Sequence, residues 1–247
     1  MLYFEINRSA CMIRKVVDRL PEMDTEAKFM DARKLKPADI VEAVRSDIMA
    51  GILKPGAALI QDTLARRYGV SRIPIREALR RVEAEGLIDV VYGGGTFVHV
   101  PDTSEIAEVF EIRLQLEPHV LRLSMPRLGP RDFEAAEAAI GLLREEGCGG
   151  LSIGEIDRRF HDAIYAGADR PLHMETIRTL QARLAGLLAT AMTPASVAVL
   201  EEDMKAILDV IRKGDEKEAS GRLVRQLIRT RENLISASEP VDEVRYA

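Results

Sequence analysis

The segment from Asp62 to Val100 is punctuated so tightly that few folds can accommodate it. Asp62 can cap a short helix over Thr63 to Tyr68, and Gly69 ends it with a residue suited to the left-handed conformation of a tight turn. Ser71 then opens a second helix. Pro74 falls in its first turn, where a missing N–H does little harm; Ile75, Ala78, Leu79 and Val82 form an inward stripe, and Gly86 closes the helix. Two β-branched or aromatic runs, Leu87 to Tyr92 and Thr96 to Val100, flank Gly93, Gly94 and Gly95, which predicts a β-hairpin. Upstream, Ile40, Val41, Val44 and Ile48 repeat at helical spacing until Gly51, and Pro55-Gly56 turns the chain. Helix, helix, turn, helix, hairpin is the order of a winged helix-turn-helix module.

Beyond Pro101-Asp102 no strand pattern recurs, and glycine or proline separates long helical stretches near 103–124, 130–146, 152–167, 171–192, 195–213 and 215–237. The expected fold class is therefore mainly α: an N-terminal winged helix-turn-helix with a small hairpin wing over 37–101, then an all-α six-helix bundle over 102–238. Residues 1–36 show no sustained period and are expected to form a mobile extension or partner-binding arm, and 239–247 a C-terminal tail.

Charge divides along the same boundaries. The whole chain has a formal charge of -5, with 40 acidic and 35 basic side chains in 247 residues. Residues 1–36 carry +2, 37–101 are neutral, and 102–247 carry -7. Within the neutral module, Arg66 to Arg81 holds six arginines against Glu77 alone, a local +5 of the kind that an anionic partner requires. Eleven aromatic residues leave little material for a platform that stacks on single strands. Two cysteines exclude a disulfide framework and a multi-cysteine zinc site. No apolar stretch approaches the ~20 residues needed to span a bilayer. Glu5 and Arg8 interrupt what would be a signal-peptide core, so a cytoplasmic location with no membrane partner is expected.

In the helix opened by Ser71, Arg72, Arg76 and Arg80 fall at i, i+4 and i+8, opposite the core stripe. Arginine reads guanine O6 and N7 bidentately in the major groove, and Ser71 with the helix N-terminus can hold a phosphate. Arg66 and Arg67, one helix earlier, are placed to touch the flanking backbone. An arginine stripe by itself is more often a solvated face, and three glycines more often a flexible turn; together they form a pattern. Gly94, Gly95, Thr96 and His99 are the candidates on the hairpin.

The run LARRYGVSRIPIREALRRVEAEGLI followed by YGGGTFV resembles the DNA-binding domain of the GntR transcription regulators, over about residues 39–100. The resemblance implies base recognition by Arg72 and Arg76, phosphate contact by Ser71 and Arg80, and groove or backbone contact by the wing at Gly94 and Gly95. Two departures, Asp62 in place of a basic or glutamate residue and Ile73 in place of threonine, leave the operator sequence open. The C-terminal half resembles the FCD effector domain of the FadR branch through FEIRLQLEP (110–118), DRRFH (157–161) and MKAILDVIRKGDEKEA (204–219), and six helices place it in the VanR-like subgroup.

Asp157 and His161, at i and i+4, are half of a metal site. The resemblance places the remaining two ligands, histidines in metal-binding members, at Met204 and Gln226, where a thioether and an amide are poor replacements. The expectation is a degenerate site: no cofactor, with weak divalent-metal binding at Asp157 and His161 at most, and a hydrogen-bonded pair that supports an effector pocket. The resemblance gives Arg113 the role of clamping a ligand carboxylate, which suits its fork of donors. The plain alternative for Arg113 is an ion pair with Glu117 at i+4. His119, His173 and the cysteines have no catalytic partner at motif spacing, and no phosphate-cradling loop or nucleophile elbow occurs.

The resulting expectation is a ligand-responsive transcription regulator and not an enzyme: a repressor that binds a pseudo-palindromic double-stranded operator as a homodimer and responds to a small carboxylate metabolite. A winged-helix module used for protein contact alone and a metal-dependent hydrolase built on Asp157 and His161 are the competing readings.

Overall fold

A computed structural model describes residues 37–145, 148 and 150–238; the expected N-terminal extension and C-terminal tail lie outside the described residues. The chain divides into two compact units between Val100 and Pro101.

The first unit opens with α1 (Pro37–Met49), whose Ile40, Val41, Val44 and Ile48 are all buried. Next, α2 (Gln61–Tyr68) starts two residues before the expected Thr63. Asp62 is therefore not its cap: Ile60 takes that position without a side-chain hydrogen bond, and the Asp62 carboxylate pairs with Arg72 instead. Gly69 ends α2 at φ 66°, ψ 33°, in the left-handed region that favours glycine. Helix α3 (Arg72–Ala84) follows from Ser71 and buries the Ile75, Ala78, Leu79 and Val82 stripe. Arg45 of α1 ties down the far end of α3, its Nε donating to Glu85 at 2.7 Å.

The wing is the antiparallel pair β1 (Ile88–Val91) and β2 (Gly95–Val98), with Ile88 opposite Val98 and Val91 opposite Gly95. Its root is broader than the sequence indicates. Ala58 bridges Phe97, the Leu59 N–H donates to the Thr96 carbonyl at 2.8 Å, and the Val98 N–H donates to Ala57 at 2.9 Å. The loop before α2 thus adds an edge to the hairpin and fixes the wing against the helices. A single bridged residue carries no alternation, so no sequence period reveals it.

The second unit contains α4 (Thr103–Ser124), α5 (Pro130–Leu142), α6 (Ile153–Tyr165), α7 (Pro171–Ala191), α8 (Pro194–Arg212) and α9 (Glu216–Ser238). Asp102 caps α4 and Ser152 caps α6, each side chain accepting a hydrogen bond from the N–H three residues on. Helix α5 stops short of the expected 146, because the Leu143 N–H turns back to Ile140 and Gly141 and tightens the last turn. Phe110, Phe160, Leu121, Ile164, Ile207 and Leu223 form the centre of one continuous apolar core. Among the described residues, no helix is long and apolar enough to cross a membrane.

Candidate functional site

Each unit presents its own constellation. On the first, Arg72, Arg76 and Arg80 all stand exposed on one face of α3, opposite the buried stripe. Among the described residues neither Arg76 nor Arg80 has an ion-pair partner, whereas Arg72 is paired with Asp62. Both groups of that pair are more than half exposed or close to it, so the contact orients more than it stabilises. It lies at an open concavity of about 830 Å³ between α2 and α3, lined also by Arg66, Gly69 and Ser71. Ser71 occupies the N-cap position of α3 but makes no capping bond, leaving its hydroxyl and the helix N-terminus facing out. Arg66 is exposed. Arg67 is not equivalent: its Nε donates to Asp47 at 2.9 Å, and Tyr68 donates its hydroxyl to the same oxygen at 2.7 Å. That arginine ties α2 to α1.

At the wing tip Gly95 has φ 114°, and a Cβ on Gly94 would sit 2.8 Å from the Val91 side chain, so the turn needs glycine on both geometric and packing grounds. Gly94→Ala is expected to distort the wing and weaken DNA binding severalfold with little change in melting temperature; unchanged affinity by fluorescence anisotropy would remove the wing from the interface. Thr96 is half-buried, its carbonyl engaged by Leu59. His99 sits at the hairpin's root, where its Nδ1 lies 2.9 Å from Asp89, away from the tip. The sequence does not single out Tyr92, which is fully exposed beside the tip glycines; Ile73, noted there only as a departure from threonine, is 62% exposed among the arginines of α3. An exposed apolar side chain on such a face is suited to contact a thymine methyl group. The place of Ile73 outside the core stripe is what exposes it.

The second unit buries a polar cluster. Helix α4 contributes Arg113 (3% exposed) and Glu117 (0%), α6 contributes Asp157, His161 and Tyr165, α8 Met204, and α9 Gln226. The Arg113 Nε donates to Glu117 Oε1 at 2.6 Å, and Tyr165 donates its hydroxyl to Glu117 Oε2 at 2.8 Å. His161 donates from Nδ1 to the Asp157 carbonyl at 2.8 Å, its Nε2 lies 4.0 Å from Glu117, and Gln226 Nε2 donates to Asp157 Oδ1 at 3.3 Å. The ion pair of Arg113 with Glu117 is thus present, without using all of the guanidinium: Arg113 Nη2 is buried with no partner. Glu117 was weighed only as a partner of Arg113, yet it links α4 to α6. Tyr165 was missed, although 157, 161 and 165 continue one helical face.

These buried charges set each other's protonation. Burial pushes the His161 imidazole down, but the Asp157 carboxylate, then Glu117, outweigh it and raise it to about 9. Burial pushes Asp157 up, and His161 with Arg113 bring it below the usual carboxylate range. The stabilisation from charged His161 is full below pH ~6.5 and is lost as pH rises through about 9. Asp157 works in the opposite sense, supporting the fold above its usual range and ceasing to as pH falls through its lowered value. Calorimetry is therefore expected to show the C-terminal unit's melting temperature falling by several degrees between pH 6.5 and 9, a slope that His161→Gln should flatten. An unchanged slope in that variant would assign the effect elsewhere.

Of the four positions compared with metal ligands, Asp157 accepts an N–H from Gln226 at Oδ1 and Met204 offers only a thioether, and among the described residues no group of three or more His, Cys, Asp or Glu is arranged to hold an ion.

Comparison with known proteins assigns both units. The family model described as "Bacterial regulatory proteins, gntR family" matches residues 37–98, and that described as "FCD domain" matches 108–230. The HTH-type transcriptional regulator McbR of Escherichia coli strain K12 is 30% identical over 193 residues, 74% of this chain and 87% of that protein. The Nta operon transcriptional regulator of Aminobacter aminovorans is 30% identical over 134 residues, 53% of this chain and 63% of its own length. The solved structure of E. coli McbR/YncC aligns with a TM-score of 0.70 at 25% identity, covering 81% of this chain and 97% of that one.

Proposed function

Because the chain belongs to the GntR family of bacterial regulatory proteins and carries an FCD domain, we propose that it is a repressor that binds a pseudo-palindromic operator as a homodimer and is released by a small carboxylate. The coarser statement needs no proposal: this is a DNA-binding transcription regulator, not an enzyme. The hydrolase reading falls with that assignment.

The observation that carries the carboxylate is the buried guanidinium of Arg113, which keeps one donor nitrogen unpartnered after binding Glu117. An unmet buried donor on a cation costs free energy that an incoming carboxylate recovers. A dimer is supported by a general argument: one short recognition helix reads too few base pairs for genomic specificity, and two-fold pairing doubles them. Release requires that the effector bind two dimer arrangements unequally. We place the protein in the cytoplasm, where its DNA is. We also propose that Asp157 and His161 bind divalent metal weakly or not at all. Calorimetric titration with zinc or nickel checks this, a sub-micromolar stoichiometric site lost in His161→Ala being the contrary result.

Asp62 sharpens the DNA reading. By holding Arg72 it limits the directions that guanidinium takes, so Asp62→Ala is expected to relax base preference at one operator position per half-site, with a loss of total affinity of no more than about tenfold. Selection of bound sequences from random DNA tests it. A protein-contact module would tolerate loss of Arg72 and Arg76; selection of no sequence at all would favour that reading.

A further inference from the structure

Ile73 stands in the first turn of α3, 62% exposed, inside a face otherwise made of charged side chains. A lone exposed isoleucine has no meaning by itself, because scattered apolar residues are ordinary on protein surfaces. Its direction is what matters. At about 100° of turn per residue, Ile73 points roughly opposite the mean direction of the Ile75, Ala78, Leu79 and Val82 stripe. On the same reckoning Arg80 is about 20° from it, Arg76 about 60° to one side and Glu77 about 40° to the other. Arg72 lies about 100° round, where Asp62 of α2 holds its guanidinium. The residue at the pole of the exposed face, in the turn that a recognition helix sets against base edges, is therefore apolar. Branching at Cβ leaves isoleucine one strongly preferred rotamer in a helix, so the surface it presents is fixed. It offers neither donor nor acceptor. Guanine, adenine and cytosine set polar atoms against it that lose water without gaining a partner; thymine sets a C5 methyl group there.

We propose that Ile73 is a specificity-determining residue that selects a pyrimidine C5 methyl group in each operator half-site, supplied by a thymine close to the guanine that Arg76 reads. Three helical residues rise about 4.5 Å, so that thymine falls within about two base pairs of the guanine. This rests on α3 being the helix that enters the major groove, and adds to it a base that no arginine reads. What is selected is a methyl group and not a base pair. 5-Methylcytosine carries the same group at the same place, so a cytosine there is favoured when methylated and disfavoured when bare. Burial of one methyl group is worth about fourfold in affinity, and about 15-fold when both half-sites of a dimer carry it.

The test uses the full-length protein and the duplex it selects from random DNA, with binding read by fluorescence anisotropy. Each thymine of the half-site is replaced in turn by deoxyuridine, which removes the C5 methyl group and leaves every hydrogen-bonding atom in place. At one thymine the replacement is expected to weaken binding about fourfold in one half-site and about 15-fold in both. At that position 5-methylcytosine should bind about fourfold more tightly per half-site than cytosine. Both effects should shrink to less than about twofold in Ile73→Ala, whereas a methyl group acting through the stiffness of the duplex would survive in that variant. A half-site without thymine, no position where deoxyuridine costs more than about twofold, a 5-methylcytosine no better than cytosine, or a methyl effect that survives Ile73→Ala overturns the role of Ile73 and leaves the arginine readings standing. Selection of no sequence at all overturns the groove reading of α3 and this inference with it. The base-analogue comparisons use the wild-type chain, so they decide even if Ile73→Ala binds too weakly to measure.

Discussion

Replacing Arg76 with alanine is expected to weaken binding to a selected operator duplex by roughly 30- to 10⁴-fold, with the fold intact. The range follows from a bidentate arginine–guanine contact worth about 1–3 kcal/mol, counted once in each half-site of a dimer. Arg76 is the right residue to test. It is exposed at the middle of α3, it has no ion-pair partner among the described residues, and its removal disturbs nothing in the Ile75, Ala78, Leu79 and Val82 stripe behind it. Arg72, already engaged by Asp62, should show a smaller loss, and Arg67→Ala should lower the module's melting temperature, because its guanidinium joins α2 to Asp47. Anisotropy titrations alongside thermal melts separate these outcomes. A loss below about threefold for Arg76→Ala would move base recognition away from α3.

Arg113→Ala should destabilise the C-terminal unit by about 3–5 kcal/mol, since it strands a fully buried Glu117 carboxylate. An effector response lost in that variant would therefore say little by itself. The informative variant is Arg113→Met combined with Glu117→Gln, which removes both charges. Its stability should return to within about 1–2 kcal/mol of the parent, because replacing a whole buried pair is far milder than breaking it. Its DNA affinity should be that of the parent, and its effector response should be absent. Chemical denaturation supplies the stability and an operator-release assay the response. A double variant that still releases DNA on addition of effector would exclude Arg113 as the clamp.

Much of this was legible in the chain because glycine and proline mark the boundaries. Gly69, Ser71, Pro74 and Gly86 fix α2 and α3 almost without tertiary information, and the helices of the second unit follow from similar punctuation. What the chain conceals is pairing at a distance. Asp62 has the composition and position of a cap, and only the earlier start of α2, with Arg72 ten residues on, makes it an ion-pair partner. Arg67 and Arg66 are adjacent and chemically identical, yet one meets Asp47, twenty residues away, and the other faces out. In the second unit Arg113, Asp157 and His161 could be singled out by motif. That Glu117 sits between Arg113 and Tyr165, and that Gln226 turns its oxygen away from Asp157, depends on how α4, α6 and α9 pack.

The acidity of the chain also has a different meaning once it is divided. With -7 beyond residue 101 and a neutral module before it, DNA affinity is expected to come from a few placed arginines and, in the proposed dimer, from two-fold pairing. A salt titration of the full-length protein on its selected duplex measures this directly. Log K should fall linearly with log salt at about -0.9 per phosphate neutralised, and Arg80→Ala should reduce the slope by about one unit per half-site while leaving sequence preference alone. Binding that is independent of salt, or equal on selected and scrambled duplexes, would contradict the account.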